Sequence, residues 1–266
     1  MYEFTYQRPA TLAEAQDALV ADEEAKLLAG GMTLLPTMKQ RLARPNTLID
    51  IARLKELGGI ARDGAHVVIG AGVKHVDVAT SQIVRDAIPA LADLAGHIGD
   101  PHVRHMGTLG GSVCNNDPSA DYPSACLGLG AKLTTTGRII DADDFFLGMF
   151  ETALDPGEIL VNISFPIPKR AAYVKFPNPA SGYAMVGVFV AETADGVRVA
   201  VTGAGPCVFR VPEMESALGR RFAPDAIKGI TIDPDPLTSD LHGSAEYRAS
   251  LVSTMAERAV KHAAGG

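Results

Sequence analysis

The chain has 266 residues, 47% hydrophobic and 21% charged, enough for a sizeable core divided among two or three packed units. Its 24 basic and 31 acidic residues leave a net charge of −7, which argues against nucleic acid or an anionic membrane as the main partner. Cys114, Cys126 and Cys207 show no C-x-x-C spacing, which argues against a disulfide framework, a zinc site or an iron–sulfur cluster held by this chain alone. Any redox chemistry must then rest on an organic cofactor. No apolar run reaches the roughly 18 residues of a membrane span, and "MYEFTYQRPA" lacks the basic and apolar regions of a signal peptide, so the cytoplasm is the expected compartment.

"PATLAEAQDALVAD" opens with Thr11 and Glu14 at capping-box spacing and continues as a helix. "AKLLAGG" reads as a short buried strand ending in a glycine turn. "MTLLPTMKQRLA" reads as a helix that Thr33 could cap, and "NTLIDI" as the next strand. Strand, Gly-Gly turn, helix and strand within about thirty residues is the arrangement of a small phosphate-binding unit. "AHVVIGAG" is a further strand, followed by helical patterns over 76–84 and 89–97. A polar glycine stretch, "GTLGGSVCNNDPSADYP", separates these from a short helix over 122–129. "AKLTTT" and "EILVNISFPI" are strand-like, and "YVKF", "YAMVGVFVA" and "VRVAVTG" read as an antiparallel meander. "SAEYRASLVSTMAERAVKHA" closes the chain as an amphipathic helix. The expected seams lie near Gly58-Gly59 and Lys169-Arg170, giving units 1–58, 59–169 and 170–266.

Two stretches carry candidate chemistry. In "LLAGGMTLLP", Gly30 and Gly31 let backbone N–H groups approach a ligand without an intervening Cβ, and a helix start follows. This suits a phosphate or pyrophosphate, or serves only as a tight turn. Gly110 and Gly111 repeat the device, with Thr108 and Ser112 as hydroxyl donors and Asp121 as an acceptor for sugar hydroxyls. A dinucleotide needs several such clamps and can be held by amides and hydroxyls without excess Lys or Arg, which fits an acidic protein. "GAGVKH" and the glycines 203–205 resemble pieces of a dinucleotide fingerprint but lack its third glycine, so turn glycines are the simpler reading. His97, His102 and His105 with Asp100 match no standard zinc pattern, and no metal site is expected. Lys175, in a strand pattern, reads by itself as a solvated residue.

Taken together, "LLAGGMTLLP", "RPNTLIDI", "VRHMGTLGGSVCNNDPSADYP", "EILVNISFPIP", "KFPNPASGYAMVGV" and "GAGPCVFRVPEMESAL" resemble the FAD-binding medium subunit of the molybdenum hydroxylases. The resemblance extends through "DLHGSAEYRASLVSTMAERAV" and covers nearly the whole chain. It implies an α+β architecture: a two-subdomain FAD-binding fold of the PCMH type, then a C-terminal domain of antiparallel strands and helices. It further implies that Leu28, Ala29, Gly30, Gly31, Met32, Thr33 and Leu34 form the first FAD loop and that Thr108, Leu109, Gly110, Gly111 and Ser112 form the second. Asp121 matches the acidic residue at the cofactor, Leu160 a backbone contact near the ring, Lys175 a lysine close to the flavin and Tyr183 a neighbour of the isoalloxazine, while Ile98 is a further cofactor-binding residue that the resemblance implies. Met32-Thr33 and Gly182 depart from patterns frequent among relatives, Thr-Asp or His-Ser and Arg respectively.

The implied function is an electron-transfer subunit of a heterotrimeric oxidoreductase. A molybdopterin-binding large subunit and a [2Fe–2S] small subunit are the implied partners, with an external electron acceptor, and no catalytic base is required on this chain. Read from residues alone, a self-contained flavin oxidoreductase, a nicotinamide-dependent dehydrogenase using "GAGVKH" and a non-catalytic nucleotide-binding protein stay open.

Overall fold

The structure, a computed structural model, describes residues 1–265. The N-terminal part is a small parallel sheet in the order β1-β3-β2, formed by β1 (Thr5–Gln7), β2 (Lys26–Leu28) and β3 (Thr47–Asp50). Helix α1 (Leu12–Ala21) enters this sheet through its capping box. Thr11 accepts from the Glu14 N–H, and the Glu14 carboxylate reaches back to the Ala10 N–H. Helix α2 (Leu34–Lys39) is shorter than its sequence pattern suggests. Ala15, Ile49, Leu54 and Leu57 form a compact core with Ile159, which returns from far along the chain.

The middle part is organised on an antiparallel sheet, β4-β5-β10-β6-β7, from β4 (Ile60–Asp63), β5 (His66–Gly70), β6 (Lys132–Thr135), β7 (Ile139–Asp141) and β10 (Leu160–Pro166). The helical pattern over 76–84 resolves into α3 (His75–Thr80) and α4 (Gln82–Ala87), because Ser81 ends one helix and caps the next through its hydroxyl. Helices α5 (Pro89–Gly96), α6 (Pro101–Met106), α7 (Leu109–Asn115) and α8 (Tyr122–Leu129) follow. A one-turn helix α9 (Ala142–Phe145) leads into the hairpin β8 (Phe146–Gly148) and β9 (Glu151–Thr152). The polar glycine stretch, expected to be loop, contains the helix α7.

The C-terminal part is the antiparallel meander β11 (Arg170–Pro177), β12 (Ala184–Thr193), β13 (Gly196–Thr202) and β14 (Phe209–Arg210), with α10 (Pro212–Arg220) and the long α11 (Ala245–Ala263). The central strand β12 is apolar on both faces because both are covered. Phe189 and Ala191 join the core of the middle part, while Val186, Val188 and Val190 pack on the side of Met214, Val252 and Met255. Gly128 on α8 lets the Phe189 ring approach, since a Cβ there would lie 2.7 Å from Phe189 Cδ1. Arg248, buried on α11, ties this part together by donating to the carbonyls of Met185 and Gly203 and to Asp240. No described helix is long and apolar enough to cross a membrane.

Candidate functional site

The first glycine loop leaves β2 after Leu28, whose carbonyl is taken by the Ile51 N–H. Gly31 turns the chain at φ 69°, a left-handed conformation suited to glycine. Among the described residues, the backbone N–H groups of Gly30, Gly31, Met32 and Thr33 meet no protein acceptor. Such a run of free donors, with Met32 and Thr33 exposed, is a nest for an anion. Thr33 occupies the cap position of α2, but its side chain makes no capping bond; its carbonyl accepts from the Thr37 hydroxyl instead. Leu34 begins the helix.

The second loop is built differently. Thr108 caps α7 and accepts from the Gly111 N–H at 3.1 Å. The Leu109 N–H goes to the Val73 carbonyl, the Gly110 N–H to Ala71 and the Ser112 N–H to Thr108. These amides are therefore engaged within the protein. What the loop still presents is the Ser112 hydroxyl and the positive end of a short helix. Gly110 is required by contact, since a Cβ would lie 2.5 Å from that of Ala71. The "GAGVKH" fragment thus forms the floor of this loop, and Gly70 and Gly72 themselves pack on the Leu57 carbonyl.

The two loops touch. A Cβ on Gly30 would stand 2.2 Å from the Met106 carbonyl oxygen and 2.7 Å from Gly107 Cα. On Gly111, it would be 3.9 Å from the Ala29 methyl. Behind the second loop lies His75, 4% exposed, whose Nδ1 has no partner. Burial, then the Arg104 charge, pushes its pKa down to about 4, so it is neutral there.

Further along, Asp121 and Lys175 meet in the interior as a salt bridge of 3.1 Å, their side chains 4% and 8% exposed. Lys175 Nζ also donates to the His97 carbonyl at 2.8 Å, beside Ile98. The Tyr173 hydroxyl donates to Asp121 Oδ1. Burial pushes the Asp121 carboxyl up from its ordinary value, opposed first by the Lys175 charge and then by the Tyr173 hydrogen bond. Lys175 is thus an enclosed ammonium, contrary to its reading as a solvated strand residue. Tyr183, 47% exposed, closes the turn after Gly182, and burial with the nearby Asp117 and Asp121 charges raises its phenol pKa. Leu160 is buried in the core of the middle part.

The residues singled out in the sequence therefore fall into a glycine-loop pair and an acid–lysine pair. Sequence reasoning missed Tyr173, whose only signal is its spacing of two from Lys175 on one strand face. It also missed Asn116, the left-handed residue ending α7, which donates to the carbonyls of Gly148 and Glu151 and so ties α7 to the β8–β9 hairpin. No described group of His, Cys, Asp and Glu has a metal-holding arrangement.

Comparison with known proteins identifies the family of the chain. Residues 2–168 match the FAD binding domain in molybdopterin dehydrogenase, and residues 171–263 match the CO dehydrogenase flavoprotein C-terminal domain. The chain belongs to this flavoprotein family. It is an FAD-binding oxidoreductase subunit of the molybdenum hydroxylase type. The nicotine 6-hydroxylase medium subunit of Paenarthrobacter nicotinovorans is 34% identical over 97% of this chain and 96% of its own length. The carbon monoxide dehydrogenase medium chain of Hydrogenophaga pseudoflava is 35% identical over 98% and 96%. The solved carbon monoxide dehydrogenase from the latter organism superposes with a TM-score of 0.90 over 99% of this chain and 98% of its own. Quinoline 2-oxidoreductase from Pseudomonas putida 86 gives 0.90 at 28% identity, over 100% and 98%. In this chain, helices with one small parallel sheet and larger antiparallel sheets form the part that matches the FAD binding domain and the part that matches the C-terminal domain. The free amides of the first loop, the Ser112 hydroxyl and the buried carboxylate–ammonium pair fit the donor and acceptor needs of FAD.

Proposed function

We propose that this subunit passes electrons within a molybdenum-containing complex, receiving them from [2Fe–2S] clusters on a small partner subunit and delivering them to an external acceptor. A molybdopterin-binding large subunit would oxidise the substrate. The observation that carries this reading is the pairing of an amide run at Gly30–Thr33 that meets no protein acceptor among the described residues with an enclosed Lys175–Asp121 pair in one chain of this family.

FAD, when bound, supplies one- and two-electron transfer; this chain's residues bind and orient it. Leu28 to Leu34 would hold the pyrophosphate through the amides of Gly30 to Thr33, with the second loop, Thr108 to Ser112, lending the Ser112 hydroxyl. Ile98, Leu160 and Tyr183 would border the ring. Lys175 would place a positive charge beside it and favour its electron-rich reduced form, while Asp121 would hold that ammonium in place. Exposed Met32 has no donor in its side chain, so its backbone N–H would do the binding there. Units 1–58, 59–169 and 170–266 would each contribute: the first loop, the second loop with Asp121, and Lys175 with Tyr183.

The test is the visible spectrum of the purified chain, with acid release and identification of the bound nucleotide. Stoichiometric FAD, reduced by substrate only when the partner subunits are added, supports the reading. Uptake of FAD only after the partners join supports it too, and means that assembly completes the site. A folded chain that refuses FAD alone and with its partners overturns it. Reduction of the flavin by substrate in the isolated chain overturns the electron-transfer role.

A further inference from the structure

Tyr173 and Lys175 stand two residues apart on the same face of β11, and both reach Asp121. Opposite Lys175 in the register of β12 is Gly187, within a run of valines, phenylalanine and alanine. A Cβ at Gly187 would lie 2.3 Å from the Tyr173 hydroxyl oxygen and 3.0 Å from its Cε2. A glycine at the middle of a buried strand weakens that strand, and here it leaves room for the phenol tip and for Thr202 Cγ2, 2.9 Å from such a Cβ. The hydroxyl is 6% exposed as part of its residue and has Asp121 Oδ1 as its partner.

We propose that Tyr173 is a positioning residue for the flavin: by donating to Asp121 Oδ1 it keeps that carboxylate ionised and oriented, so that Asp121 neutralises and holds the Lys175 ammonium at the cofactor. This rests on the reading above that Asp121 and Lys175 stand beside FAD. The ammonium has three N–H donors, of which one points to the His97 carbonyl and another to Asp121. A carboxylate free to rotate or to take a proton would release the second and leave the positive charge unbalanced. The groups facing Asp121 are Tyr173 and Lys175 from β11, His97 at the end of α5, Tyr122 at the start of α8, and Tyr183 from the turn before β12. Burial already disfavours the ionised carboxylate, so loss of the hydroxyl's hydrogen bond removes one of the interactions that keep it charged. Protonated Asp121 beside Lys175 leaves a net positive charge, which favours the reduced flavin.

The experiment compares the wild type with Tyr173→Phe in the FAD-loaded complex. The flavin midpoint potential is followed over stepped pH, alongside a carbon-13 titration of Asp121 in the cofactor-free full chain. Tyr173→Phe is expected to retain stoichiometric FAD and to match the wild-type potential at alkaline pH. As pH falls its potential should rise above the wild type, reaching about a tenfold shift toward reduced flavin, about 30 mV for a two-electron couple. The Asp121 titration should move to higher pH. Gly187→Ala, which displaces the phenol, should give the same signature, and the double variant no larger effect than the greater single one. Superimposable potential profiles overturn the proposal, whether or not the Asp121 titration moves. A wild-type chain and complex without flavin overturn the parent reading and this one together, whereas flavin-loaded variants with unchanged potentials overturn this one alone.

Discussion

Replacing Gly30 by alanine tests whether the two glycine loops are held in contact by the absence of a side chain. The added Cβ would sit 2.2 Å from the Met106 carbonyl oxygen, whereas ordinary contact begins at 3.4 Å, so one loop must retreat by about 1 Å. The obstructing atoms are backbone, at Met106 and Gly107, and cannot rotate away. Overpacking of this kind costs about 1–3 kcal/mol. If the strain falls on the whole fold, melting drops by roughly 2–4 °C for each kcal/mol in a chain of this size class. If the first loop yields locally, the same energy appears as a roughly 5- to 150-fold weaker hold on FAD. Differential scanning fluorimetry and flavin titration of Gly30→Ala separate the two. Gly219→Ala is the control, because that glycine lies in α10 with nothing within 4 Å of a built Cβ, and alanine there should be neutral or mildly stabilising. Wild-type melting together with wild-type FAD affinity in Gly30→Ala would refute the contact argument.

Three further outcomes follow from the buried polar groups. His75 binds a proton less readily when folded than when unfolded, so stability should fall as pH drops from about 6.5 to about 4, by roughly 3 kcal/mol at most. Denaturant unfolding at stepped pH should show this acid slope in the wild type and lose most of it in His75→Phe; equal slopes would contradict the assignment. Asn116→Ala removes two hydrogen bonds to the hairpin and leaves a side chain at φ 43°, so it should destabilise by about 2–4 kcal/mol and speed proteolysis near Gly148. Arg248→Met removes the donor to the Met185 and Gly203 carbonyls and to Asp240 Oδ2, and should cost about 3–5 kcal/mol by equilibrium unfolding while leaving the flavin potential unchanged.

Local rules sufficed where local forces decide. The Thr11–Glu14 box, the alternating strands after Pro168 and the final helix all appear where their patterns lie. The polar glycine stretch is instructive because its composition favours a loop. It folds as α7 since Thr108 supplies a cap and since Val73 and Ala71, distant in sequence, accept the Leu109 and Gly110 amides. The glycines were legible as sites of close approach, but what approaches Gly110 is Ala71, with its methyl and its backbone, which no local pattern could reveal. Lys175 illustrates the same limit. Alternation assigned it to a solvated face; only tertiary pairing with Asp121, 54 positions away, encloses it. Resemblance to a family singled out both residues, yet it offered no physical reason for their partnership.

The division of the chain into two family matches, 2–168 and 171–263, falls just before Tyr173 and Lys175. The segment carrying Asp121 belongs to the first match, but its backbone leans on the second: the Pro118 carbonyl accepts from the Gly203 N–H, and the Thr202 hydroxyl donates to the Ala120 carbonyl at 2.6 Å. A fragment cut at the boundary would keep both glycine loops and lose what steadies the carboxylate. The evolutionary module and the working unit are therefore different objects here. Exchanging C-terminal domains between relatives would replace Tyr173 and Lys175, and with them the buried partners of Asp121, along with the new surface.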